Sequence, residues 1–123
     1  MTIPELFKSV LDQDDMPVVI CDLQHIVVYM NPAAVEHYVR YGGNSILGRS
    51  IFDCHNERSR EMIEKVVGWF AADRGNNKVH TFYNSKLDKD VYMIALRNDR
   101  GELIGYYEKH ESRVRDDSPF YFI

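Results

Sequence analysis

The chain has 123 residues, of which 45% are hydrophobic and 28% are charged, and its formal net charge is −4. This length and composition are typical of one globular domain with one core, so residues 1–123 are expected to form a single domain. The 15 basic residues are interleaved with 19 acidic ones, which argues against nucleic acid as a partner.

No apolar run approaches the roughly 20 residues that span a bilayer. Residues 1–15 also lack the basic flank and the uninterrupted apolar stretch of a signal peptide. We therefore expect a cytoplasmic protein with no membrane partner. In that compartment Cys21 and Cys54 are expected to be free thiols.

The first predicted element is a short amphipathic helix over residues 2–13. Its apolar residues recur at helical spacing: Ile3, Leu6, Phe7, Val10 and Leu11. Thr2 and Glu5 match a capping pair at its start. A helix of this length is unstable alone, so its apolar face is expected to pack on the protein's own sheet or on a second copy.

Two short strands follow, "PVVICD" and "IVVYM", and the polar turn "LQH" between them predicts a hairpin. Asn31 and Pro32 then have the pattern of a helix start, and Gly42 with Gly43 has the pattern of its end. The irregular connector "SILGRSIFDC" leads to the longest helix of the chain.

That longest helix is predicted to begin after Asn56, as its cap, and to end at Gly75. Its apolar face consists of Met62, Ile63, Val66, Val67 and Phe70. Three strand-like segments follow, "KVHTFYN", "DVYMIALRN" and "ELIGYYEKHE", and the last two are joined by a turn at Gly101. Hairpins at both ends with helices grouped between them predict an antiparallel α+β fold.

The C-terminal segment "SPFYFI" turns abruptly apolar. Such a segment would promote aggregation if it were exposed. It is therefore expected to pack against the sheet or against a second protomer.

Three stretches together resemble a PAS domain over residues 14–111: "PVVICDLQHIVVYMNPAA", "ILGRSIFDCH" and "VYMIALRNDRGELIGYYEKHE". The resemblance depends on Asp22 at the end of the first strand and Asn31 at the start of the next helix. It also depends on Gly48 before the loop into the long helix and on the final hairpin, residues 97–105.

The stretch "CHN" with Ser59 is more narrowly similar to the PAS-like domains of bacterial proteins that also contain hemerythrin-like domains. Two departures from the pattern are present. Asn56 stands where those domains often have proline, and Gln24 with His25 stands where the first hairpin often has glycine.

The resemblance implies a five-stranded antiparallel sheet in the order 2-1-5-4-3, with helices over one face. The N-terminal helix would then precede a PAS core at residues 14–111 and a tail at residues 112–123. It also implies a sensory or signalling module with a small cavity between the long helix and the sheet. Its output would pass through a homodimer or a signalling partner protein.

Cys54 and His55 are the adjacent candidates for chemistry. A nucleophile and its base are disfavoured because neighbouring side chains rarely point at each other, so no catalytic residue is predicted. The cysteines and histidines also lack the clustered spacing of a metal site. One alternative is a thiol-based redox protein or minor enzyme that uses Cys54, whose thiol pKa a helix start would lower. The other is that Cys54 packs beneath the helix.

His55 is a candidate haem ligand, since haem sensors of this fold supply an imidazole from the long helix or nearby. The alternative is that His55 has a structural role and braces the start of the long helix. Flavin photochemistry is disfavoured because Ile51 lies three residues after Gly48, where the flavin-binding relatives have a cysteine. Haem or another small apolar or aromatic ligand remains open, and so does a ligand-free interaction module.

The residues predicted to bind a ligand are His55, Cys54, Phe52, Ile63, Val67, Met93 and Tyr106. Further side chains expected to line the cavity are Val19, Cys21, Val28, Phe82 and Ala95. Aromatic and methionine side chains at these spacings equally suit a plain hydrophobic core.

Overall fold

A computed structural model describes residues 2–123. Its helices are α1 (Ile3–Asp12), α2 (Pro32–His37) and α3 (Glu57–Ala72). Its strands are β1 (Val18–Asp22), β2 (Val27–Met30), β3 (Lys78–Asn84), β4 (Lys89–Arg97) and β5 (Leu103–Ser112). Short 3₁₀ turns at Val39–Tyr41, Gly43–Ile46 and Ile51–Cys54 connect α2 to α3.

The five strands form one antiparallel sheet in the order β2-β1-β5-β4-β3, which confirms the predicted fold. The central strand β5 pairs with β1 on one side and with β4 on the other. The core lies between the inner face of this sheet and the helices, where Phe70 of α3 and Val27 of β2 are fully buried. None of the helices within residues 2–123 is long and apolar enough to cross a membrane.

The predicted helix starts are confirmed by their caps. In α1 the Glu5 backbone N–H donates to Thr2 Oγ1 at 3.2 Å, and the Thr2 N–H donates to the Glu5 carboxylate at 2.9 Å. Asn31 Oδ1 accepts from the backbone N–H of Ala34 at 2.9 Å. Asn56 Oδ1 accepts from that of Ser59, also at 2.9 Å. Each cap satisfies an N–H that the first helical turn leaves unpaired.

The two helices whose ends were predicted from glycines, α2 and α3, both end before those glycines. α2 ends at His37, and 3₁₀ turns continue the chain to Gly42, which takes a φ of 115°. α3 ends at Ala72, where the Arg97 guanidinium of β4 donates to the carbonyl oxygen of Phe70 at 2.7 Å. A tertiary contact therefore closes this helix, and residue spacing along α3 gives no sign of it.

Asn31 joins three elements and is fully buried. Besides capping α2, its Oδ1 accepts from the Val18 N–H at the start of β1, at 2.9 Å. Its side-chain amide donates to the carbonyl oxygens of Leu11 and Met16, at 3.0 and 2.9 Å. One side chain thus fixes the end of α1 relative to α2 and the sheet.

The expectation that Val28 lines the cavity is wrong, because 54% of this residue is exposed. The β1–β2 register passes from Ile20–Tyr29 directly to Cys21–Val27, so Val28 is left over as a β-bulge. A bulge shifts the alternation of side chains by one residue. Val27 consequently takes the buried position.

Most of the apolar surface of the two terminal segments does not pack on its own chain. No residue of α1 is buried, and Phe7 and Val10 are 66% and 70% exposed. Phe120 and Phe122 in the C-terminal segment are exposed as well. The expectation of packing within the same subunit is therefore wrong for the C-terminal segment and for α1 apart from the half-buried Leu11, and packing on a second copy stays a prediction.

Candidate functional site

A cavity of about 670 Å³ lies between α3 and the inner face of the sheet. Its apolar lining includes Val19, Ile51, Met62, Ile63, Phe82, Val91 and Met93. Its polar lining includes His37, Tyr38, His55, Arg58, Glu108 and His110. A second cavity of about 250 Å³ adjoins it and shares the Glu108 and His55 side chains. An apolar space of this size with a few convergent polar groups is typical of a ligand site.

The structure brings most of the predicted site residues to these cavities. The larger cavity is lined by four of them: His55, Ile63, Met93 and Tyr106. Cys54 lines the smaller cavity with His55. Phe52 and Val67 lie outside both linings, since Phe52 packs against the His25 ring with centroids 4.6 Å apart and Val67 packs against the core. Of the wider set, Val19, Cys21 and Phe82 line the cavity, and Ala95 packs against the core.

Glu108 is the acidic group at the centre of the cavity wall. It lies on the central strand β5, between its register partners Val19 on β1 and Met93 on β4. The Tyr38 hydroxyl donates a hydrogen bond to Glu108 Oε1, and His110 Nε2 donates to the same oxygen at 2.5 Å. The Glu108 side chain keeps 27% of its surface accessible, and it lines both cavities.

The Glu108 carboxyl is ionised at neutral pH. Burial raises its pKa, but the hydrogen bond and charge of His110 and the hydrogen bond from Tyr38 together lower the pKa below the ordinary value of 4.5. Hydrogen bonds to the charged form favour that form. The cavity therefore holds a carboxylate rather than a neutral acid.

His110 is a buried histidine with one unsatisfied nitrogen. Its side chain is 2% exposed, and Nδ1 has no hydrogen-bond partner among the described residues. Nε2 carries the proton that it donates to Glu108, so Nδ1 is the ring nitrogen that the fold leaves without a partner. The ring contacts His37 edge-to-face, with centroids 5.4 Å apart.

His55 lines both cavities and is itself exposed. His55 Nδ1 lies 2.8 Å from the carbonyl oxygen of Ile51. A carbonyl only accepts, so Nδ1 carries the proton and a neutral ring keeps its lone pair on Nε2. Within the described part of the chain, no hydrogen bond joins an imidazole to the Cys54 thiol.

A second group of interacting polar side chains lies around Tyr106, which lines the cavity. The Tyr106 hydroxyl lies 2.9 Å from His25 Nδ1 and also interacts with the Cys21 thiol. Burial raises the pKa of Cys21 to about 12, so its thiol stays protonated at neutral pH and is a poor nucleophile. Over residues 2–123, no three His, Cys, Asp or Glu side chains are placed to hold a metal ion.

Sequence reasoning missed Glu108 and His110 as site residues. Tyr106 was predicted to face inward, and side chains two and four residues further along a strand share its face. The alternation Tyr106, Glu108, His110 in "YYEKH" was the available signal. It places a charge on a core face, which proteins tolerate only when the charge is hydrogen-bonded or has a function.

A family model for the PAS fold matches residues 11–109. The chain belongs to the PAS fold family. Among curated protein sequences, none matches this PAS domain significantly.

Solved structures show the same fold at low sequence identity. The C-terminal domain of a Streptococcus mutans protein aligns with a TM-score of 0.70 and 22% identity, over 89% of this chain and 84% of that one. A PAS domain from Colwellia psychrerythraea aligns with a TM-score of 0.65 and 14% identity, over 90% and 97%. The PAS domain of BvgS from Bordetella pertussis aligns with a TM-score of 0.63 and 19% identity, over 91% and 87%.

Proposed function

We propose that this PAS domain senses a small molecule by binding it in the 670 Å³ cavity. PAS domains are sensory and signalling modules. The observation that carries the proposal is an ionised Glu108 in the wall of an otherwise largely apolar cavity. Strongly hydrogen-bonded ionisable groups in a cleft mark functional sites.

The route from the cavity to the molecular surface passes through α2. This helix carries His37 to the cavity and begins at Asn31, which also holds the end of α1. A ligand that displaces α2 would therefore move α1. We propose that the exposed apolar face of α1 forms a homodimer contact and that this contact transmits the signal.

Haem fits these residues poorly. His55 Nε2 is free, and a backbone carbonyl orients the ring as in many metal-binding histidines. However, a porphyrin is large, flat and apolar at its centre, and the Glu108 carboxylate occupies the wall against which such a ring would lie. A haem absorbance band in the purified protein would overturn this judgement.

The test of ligand binding uses native mass spectrometry of protein purified without denaturation. We expect a bound small molecule on the wild type and its loss in Val91→Phe, which places a ring in the cavity. Ile94→Phe is the matched control, because Ile94 lies on the opposite face of the same strand. Wild-type protein without any bound molecule, or equal retention by both variants, would contradict the proposal.

The dimer contact is tested on the same preparations by sedimentation. Phe7→Ser should convert the wild-type dimer into a monomer, because Phe7 is 66% exposed on the apolar face of α1. Lys8→Ser, at the neighbouring position, should leave the dimer unchanged. A monomeric wild type would show that α1 has another role.

A further inference from the structure

The Glu108 carboxylate has an unused oxygen. A carboxylate accepts about four hydrogen bonds, two at each oxygen. Tyr38 and His110 both donate to Oε1, and no donor among residues 2–123 reaches Oε2. Although Oε2 has no hydrogen bond, it is not fully enclosed by protein atoms. It is therefore accessible, and Glu108 lines the cavity.

The charged groups around this carboxylate leave Oε2 unoccupied. Within the described residues, no lysine or arginine forms an ion pair with Glu108. His110 pairs with Oε1 only. Lys89 lies on the same face of the sheet and interacts with the charge of Glu108 without forming an ion pair with it. A cation in the cavity would therefore meet a carboxylate oxygen that no group among the described residues occupies, and hydrogen bonds to an ionised acceptor are the strong ones.

We propose that the ligand of this cavity is a small apolar or aromatic molecule with a protonated amine, and that Glu108 Oε2 binds the amine. This inference rests on the proposed function and specifies its ligand. Met62, Phe82 and Met93 supply the surface for the apolar body of the molecule. A charge-assisted N–H to carboxylate bond is about twice as strong as a neutral one, so it sets the selectivity.

Arg58 also lines the cavity, and its positive charge would favour an anionic ligand rather than a cationic one. Its residue is exposed, and it lies in the first turn of α3. Water and salt screen an exposed charge far more than one inside the fold. An anionic ligand would gain little from Arg58 and would be repelled by Glu108, so the cavity selects against anions.

The test compares three phenyl compounds of similar size by isothermal titration calorimetry: 3-phenylpropylamine, 3-phenyl-1-propanol and 3-phenylpropionate. We expect the amine to bind at least tenfold more tightly than the alcohol, and the carboxylate to bind most weakly. Equal affinities, or a preference for the carboxylate, would overturn the proposal on the wild type alone. Failure of all three compounds to bind at millimolar concentration would overturn it as well.

The variant Glu108→Gln tests whether Glu108 is the residue responsible for the preference for the amine. The variant keeps the shape of the side chain and an oxygen for Tyr38 and His110 but removes the charge. The amine should lose its tenfold advantage, whereas the affinity of the alcohol should stay within about twofold. Glu61→Gln on α3 is the matched control, since Glu61 lies outside both cavity linings and should leave all affinities unchanged. Persistence of the amine preference in Glu108→Gln would show that another group binds the amine.

Failure of this inference is distinguishable from failure of the proposed function. A cell-derived molecule that is lost in Val91→Phe, and that proves to be neutral or anionic, would leave the sensory function standing and end the amine proposal. Absence of any such molecule, together with no binding of the three compounds, would end both.

Discussion

Two carboxylates on neighbouring strands of this PAS domain have contrasting surroundings. Asp90 on β4 receives two hydrogen bonds from the Arg113 guanidinium, both at 2.7 Å, and one from His80 Nε2 at 2.8 Å. Its two oxygens therefore each have a partner, and one partner is a permanent cation. Glu108 on β5 has two donors on one oxygen and no ion pair with lysine or arginine among the described residues.

Accessible surface alone does not explain the difference, since the Asp90 side chain is 10% exposed and that of Glu108 is 27% exposed. Asp90 has a structural use, because Arg113 ties the chain after β5 to β4 and stacks on the Tyr83 ring at 4.2 Å. Comparison of the two sites shows that the number and charge of the partners distinguish a structural carboxylate from a candidate binding one.

Removal of the Asp90 charge should destabilise the fold far more than removal of the Glu108 charge. Asp90→Asn should lower the melting temperature by several degrees, because Arg113 and His80 lose the charge they pair with. Glu108→Gln should change the free energy of unfolding by no more than about 1 kcal/mol, because the amide oxygen can keep both hydrogen bonds and no bond to lysine or arginine is lost. Urea denaturation of the two variants measures this. A larger loss for Glu108→Gln than for Asp90→Asn would refute the distinction.

The hydrogen bond from Tyr38 should help to hold the pKa of Glu108 below its ordinary value. Tyr38→Phe removes one of its two donors, so we expect a loss of about 1–3 kcal/mol in unfolding free energy and a rise in the pKa of Glu108. NMR titration of the Glu108 carboxyl carbon gives the second quantity. Tyr41→Phe is the control, since Tyr41 lines only the smaller cavity and donates no side-chain hydrogen bond within residues 2–123. Equal effects of the two changes would contradict the role of Tyr38.

The smallest expected effect is on the pH dependence of stability. Burial, with Lys89 and His110, lowers the pKa of His37 below 6.5. The unfolded chain then binds more protons than the folded one, so stability is complete above about pH 6.5 and decreases as the pH falls below it. His37→Gln should flatten the decline in melting temperature between about pH 7 and pH 5.

Part of that decline should remain in the variant, because burial lowers the pKa of His25 as well. The pKa values of Glu108 and Asp90 are both lowered, so their contribution is lost only at lower pH, below the ordinary carboxyl values, and His37→Gln should not alter it. An unchanged slope between about pH 7 and pH 5 would contradict the assignment to His37.

Local chemistry along the chain was sufficient to predict the elements and their starts. The caps at Thr2, Asn31 and Asn56 each bind a backbone group three residues away, so a short stretch of sequence contains both partners. The turn at Gly101, with a φ of 78°, is local in the same way. The strand order came from the resemblance to PAS domains, and the sheet confirms it.

The amino-acid sequence by itself was sufficient to predict the fold of this PAS domain. It also identified four residues that line the larger cavity, out of the seven that were predicted to bind a ligand. Only the tertiary structure decided how Glu108 is held, because Tyr38 is 70 residues away in the chain and no local pattern links the two. It also decided that Val28 points outward, since a one-residue bulge reverses the alternation on which the prediction depended. Hydrogen bonds to a buried charge are set by which strands and helices meet, and that information exists only once the chain has folded.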